Sequence, residues 1–145
     1  MILRLVRVLI LSLFMSAALC SPLAAQHTPP PGSPLRASIL DGLRPTVQSE
    51  IGGPIQFVVN ELRVLQNWAY VAAKPQRPGG APIQWNATKF RDAWADDTMS
   101  DLVLALLWAD GRGWRVIEYA IGPTDVIWEE WMNAHRLPRQ LFAGN

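Results

Sequence analysis

The chain has 145 residues, half of them hydrophobic, with 13 basic side chains, 12 acidic ones and a single cysteine. That length allows one domain and leaves little room for a second. The near balance of charge argues against nucleic acid or an anionic membrane surface as the main partner, and one cysteine excludes an internal disulfide.

Residues 1–25 read as a cleavable export signal. Arg4 and Arg7 supply a basic start, and Val8 to Leu11 is an uninterrupted apolar run. The run continues through Leu13, Phe14, Met15, Ala17, Ala18 and Leu19 before small residues take over, which is the layout of a secretory leader. It is too short for the ~20 apolar residues of a spanning helix, so no stable membrane span is expected after cleavage. Cleavage is placed after Ala25, because a signal peptidase takes a small residue at its last position. A lipid-modified Cys20 is disfavoured by the bulk of Leu19 just before it. Loss of Arg4 and Arg7 with the leader turns the formal charge from +1 to −1, and the mature chain, periplasmic or secreted, has no cysteine for a metal site or a nucleophile.

Residues 26–33 contain Thr28-Pro29-Pro30-Pro31-Gly32 and are expected to form an extended, mobile tether. A single α+β domain is expected over residues 34–145. It opens with Ser33 as N-cap and Pro34 at the first helical position. Leu35, Ile39, Leu43 and Val47 recur every four residues, the spacing of a helix with one buried face. Pro45 lacks an amide donor, so a kinked helix or two short ones are expected before Gly52-Gly53-Pro54.

Ile55 to Gln76 reads as a hairpin turning at Gln66-Asn67. Phe57 and Val59 share one parity while Leu62 and Val64 share the other, so a β-bulge is expected near Asn60-Glu61. Leu102 to Ala109 is apolar on both parities, as in a central strand covered on two sides. Asp110-Gly111-Arg112-Gly113 offers a hairpin turn, and a less regular strand returns through Trp114, Val116, Ile117, Tyr119 and Ile121 to Gly122-Pro123. A last helix is expected from Thr124-Asp125 to Pro138, with Ile127, Trp128, Trp131 and Met132 on its apolar stripe.

These elements give a four-stranded antiparallel sheet of two hairpins, packed by an N-terminal kinked helix and a C-terminal helix. The element order, from Leu35 to about Arg136, resembles the cystatin-like and NTF2-like folds. The segments Lys74 to Gly80 and Tyr119 to Asp125 resemble stretches of small bacterial exported proteins of unknown function. That resemblance implies export and assigns no chemistry.

Candidate site residues are few. Gln76 to Ser100 is too long for a structureless connector, and long loops are often binding elements. Its Trp85 and Trp94 are the candidate ligand-stacking residues, with Arg77 as a nearby charge; packing of Trp85, Phe90 and Trp94 as a satellite core is the competing account. Trp68, Trp108, Trp114, Trp128 and Trp131 are assigned to the core. Asp92, Asp96, Asp97 and Asp101 form an acidic run without the glycine and closing glutamate of a calcium loop, so no metal and no other cofactor is expected. His135, at a helix end, is the one imidazole in the domain, and a base paired with Asp97 is the catalytic alternative. The function expected is a non-enzymatic exported binding domain, its partner an envelope protein or a small apolar or glycan ligand. The rival is a small NTF2-like hydrolase or isomerase using His135 with an acidic partner.

Overall fold

The computed structural model describes residues 24–144. The expected leader, residues 1–25, lies outside the described residues together with Cys20, apart from Ala24 and Ala25. Four strands, β1 (Gln56–Leu65), β2 (Trp68–Gln76), β3 (Val103–Ala109) and β4 (Trp114–Ile121), form one antiparallel sheet in the order β1-β2-β3-β4. Helices α1 (Pro34–Ile51), α2 (Arg91–Ala95) and α3 (Trp128–Ala134) complete an α+β fold. None of these helices is long and apolar enough to cross a membrane.

The Ser33 hydroxyl accepts from the Arg36 amide at 3.3 Å, and Pro34 occupies the first turn. α1 continues through Pro45 as one helix, so the alternative of two short helices does not hold. The carbonyl that Pro45 leaves without its amide partner is that of Asp41, and both residues are exposed. Water can satisfy it, and the helix continues past the proline. The buried face is Ile39, Leu43, Val47 and Ile51.

The bulge in β1 falls where parity predicts it. Val59 pairs with Ala73 and Glu61 with Ala72, leaving Asn60 without a partner. A second bulge explains the irregular return strand: Leu107 opposes Val116 and Leu106 opposes Glu118, so Ile117 is the extra residue. Each bulge restores the inward parity of the residues after it.

The sheet is covered on both faces. On one lie α1 and residues Ile83, Trp85 and Met99, packed against Ala69, Val71, Ala73, Val103, Ala105 and Leu107. On the other, Trp131, Leu141 and Phe142 pack against Leu65, Tyr70, Leu104 and Leu106. The C-terminal turn, Arg139–Leu141, extends the packing beyond the expected helix. Phe142 stands edge-on to Tyr70 at 5.2 Å and is stacked on Trp128 at 5.7 Å. With both faces covered, β2 and β3 are buried on both parities.

Two glycines mark close approaches. Gly42 lets α1 settle on the start of β4, since a β-carbon there would stand 2.5 Å from the Trp114 carbonyl oxygen. Gly122 has φ +69 and lies against Met99, where a side chain would collide at 2.5 Å.

Residues 26–33, expected as an extended tether, lie against the domain. The backbone of His27 bridges Val64 with N–H···O distances of 2.9 and 2.8 Å. Pro29 is fully buried, and its carbonyl accepts from Arg36 Nη1 at 3.2 Å. Composition gives an extended segment; tertiary contact makes it a strap.

Candidate functional site

The excursion between β2 and β3 folds back onto the α1 face. It leaves β2 through an isolated bridge between Gln76 and Pro82, closed by Arg77 N–H donating to Ala81 O at 2.7 Å. The Arg77 side chain turns towards the end of α1, where Nη1 donates to the Pro54 carbonyl at 3.1 Å. Arg77 therefore ties the root of the excursion to the loop that follows α1.

Trp85 and Trp94 separate into two roles. Trp85 is buried, so it is a packing residue and offers no ligand face. It begins a 3-10 turn, Trp85–Ala87, whose carbonyl accepts from the Thr88 hydroxyl at 2.7 Å. Phe90 meets it edge-on, with ring centres 6.0 Å apart. Trp94, on α2, stacks on Trp85 at 5.9 Å with 29° between the ring planes, yet is 42 % exposed. The indole is thus backed by a rigid aromatic floor while presenting its other surface to solvent.

The excursion is also fastened by charge. Lys89 pairs with Glu50 of α1, and the same carboxylate accepts from the Tyr119 hydroxyl of β4 at 3.1 Å. The Lys89 ammonium holds the Glu50 carboxyl below its ordinary value, and the Glu50 carboxylate pushes the Tyr119 phenol up. Three elements that sequence keeps apart meet at Glu50.

The acidic run does not converge. Asp101 pairs with Lys74, Asp92 lies beside Arg91 at 3.2 Å, and Asp96 and Asp97 are exposed. Among the described residues no group of three or more His, Cys, Asp or Glu side chains could hold a metal ion.

His135 meets an acid, but not Asp97. Its Nε2 lies 2.8 Å from Glu118 Oε1, and its ring tilts over Trp68 at 5.5 Å. Asp97 belongs to the excursion on the α1 face, whereas Trp68, Glu118 and His135 lie on the opposite face. The structure does not bring His135 and Asp97 together. Trp68 in turn meets Trp108 edge-on at 4.9 Å, and the register partner of Trp108 is the exposed Arg115. This corner is half open: the His135 and Glu118 side chains are 24 % and 37 % exposed.

The tryptophans assigned to the core are mostly at its margins. Trp131 is buried, but Trp68, Trp108, Trp114 and Trp128 are half-buried. Glu50, Lys89, Glu118 and the Leu141-Phe142 pair enter this geometry without having stood out in the sequence. The open groove at the start of α1, about 270 Å³ and lined by residues including Ser33, Arg36 and Arg44, lies apart from both aromatic clusters.

No family model matches the chain, and no curated protein or solved structure matches it either, so the functional reading rests on its own geometry.

Proposed function

We propose that the chain is an exported, non-enzymatic binding domain, released into the periplasm or outside the cell by removal of residues 1–25, and that it engages its partner through the excursion. The observation that carries this is Trp94, a large aromatic left 42 % exposed while stacked on a buried one. Holding an indole in place before contact lowers the ordering cost of binding, and such aromatics are typical interface anchors. The two cores hold no buried polar or charged side chain among the described residues. A large aromatic presented at the surface favours a surface partner, an envelope protein, over a small apolar or glycan ligand.

The finer fold assignment is cystatin-like. A single long helix laid across one face of a four-stranded antiparallel meander supports it. An NTF2-like cone fits less well, because α1 and α3 cover opposite faces.

The test is a comparison of wild type with Trp94→Ala in capture from an envelope fraction, both proteins matched for folded content. A partner retained by wild type and lost by the variant supports the reading. An identical set from both, with no tryptophan fluorescence change across a glycan and lipid panel, removes it.

One observation favours a second reading. The His135–Glu118 pair has the geometry of an oriented imidazole base, 2.8 Å nitrogen to oxygen, beside the Trp68 indole. A small hydrolase or isomerase using this pair should lose at least ~100-fold in rate with either His135→Gln or Glu118→Gln. Turnover indifferent to both substitutions ends that reading.

A further inference from the structure

We propose that the Ala25–Gln26 bond is a processing site that stays open only until the strap behind it docks on β1. The inference rests on the export leader proposed above. Hydrolysis there adds water across one peptide bond, leaving a carboxylate on Ala25 and a new amino group on Gln26. A peptidase must take such a bond with its flanking backbone accessible, and in native proteins that condition is met by exposed or locally opened segments.

The fold denies that access on both sides of the bond. Upstream, Ala24 is partly buried against the second core. Downstream, His27 has both backbone groups bonded to Val64, at 2.9 and 2.8 Å. Two residues further, Pro29 is fully buried and its carbonyl is held by Arg36 at 3.2 Å. The Pro30 carbonyl accepts from Ser33 N–H at 3.1 Å, which turns the strap into α1. Ala25 itself remains exposed. Peptidase access is therefore governed by local release of the strap and not by shielding of the small residue.

Two consequences follow for maturation. Cleavage precedes closure of the strap, so the leader leaves before the domain is complete. A precursor that folds first keeps its leader.

The experiment uses the full chain, residues 1–145, in detergent with a leader peptidase, and mass spectrometry to identify the new N-terminus. Wild type is folded; Leu43→Asp, which places a carboxylate at a fully buried core position, supplies the unfolded substrate in the same buffer. Pro29→Asp expels the strap while α1 and the sheet remain, as checked by far-UV circular dichroism. Cutting after Ala25 should be at least ~10-fold slower in folded wild type than in Leu43→Asp, and Pro29→Asp should come within about twofold of the unfolded rate. Equal rates for wild type and Leu43→Asp overturn the proposal, as does a folded Pro29→Asp as resistant as wild type. A cut at another bond overturns it too. Failure to cut any of the three overturns the leader reading itself and the inference with it, an outcome distinct from equal cutting.

Discussion

Gly42 of α1 lies so close to Trp114 of β4 that a β-carbon there would stand 2.5 Å from the Trp114 carbonyl oxygen and 3.0 Å from its own β-carbon. On an exposed helix face, Gly→Ala stabilises by up to ~1 kcal/mol through helix propensity. Here the sign reverses, because α1 must lift off β4 to admit the methyl group. Gly42→Ala should destabilise by about 1–3 kcal/mol, the usual cost of overpacking. Chemical denaturation measures it, and a stabilised variant would show that α1 does not seat on β4 as described.

Trp131 is the buried residue of α3 and helps close the second core with Leu141 and Phe142. Trp131→Ala should cost ~3–5 kcal/mol. An equilibrium denaturation curve with a loss under ~1 kcal/mol would place the indole on the surface.

The stacked pair in the excursion separates by burial. Trp85→Ala should cost ~3–5 kcal/mol, because it empties a filled position under α1. Trp94→Ala, removing a 42 % exposed ring, should cost under ~1.5 kcal/mol and leave the melting transition cooperative. Equal losses from the two substitutions would contradict the division between floor and presented face.

Tyr70 gives the fold an alkaline limit. Burial, followed by the nearby Glu61 carboxylate, pushes its phenol up to about 12. The folded state therefore holds the proton more tightly than the unfolded chain, whose tyrosine titrates near 10. The resulting stability is fully present below pH 10 and is lost as pH rises from 10 through 12, a fall of roughly 2–3 kcal/mol. Denaturation midpoints across that range should drop for wild type and drop less for Tyr70→Phe. A slope unchanged in the variant would assign it to other groups.

How much of this was legible in the sequence depends on the range of the interaction. The bulge at Asn60 was readable because apolar parity flips between Val59 and Leu62 within one strand. The bulge at Ile117 leaves the same mark, Val116 on one parity and Tyr119 on the other, yet presents itself as poor alternation until the register is known. Glu118 was invisible as the partner of His135, since their meeting needs both the strand register and the return of α3 across the sheet; its one local signal is a lone acid facing a covered side of the sheet. Trp85 and Trp94 differ by 38 percentage points in exposure although both sit in an aperiodic segment, and no pattern there tells inside from outside. The strap shows the limit of composition: three consecutive prolines predict extension correctly and say nothing about Pro29 entering the core. Leu141 and Phe142 follow Pro138, a residue that marks the end of a helix but not the end of packing.

The two bulged strands, β1 and β4, are also the two rims of the sheet. Each rim carries one residue out of step, so the ladder of amides and carbonyls it offers a neighbouring molecule is broken midway, and at β1 the His27 bridge occupies part of what is left. Ribbon-to-ribbon growth needs a long, flat, evenly spaced rim. If the chain is exported as proposed above and folds after crossing a membrane, these irregularities guard it against fibre formation while it folds.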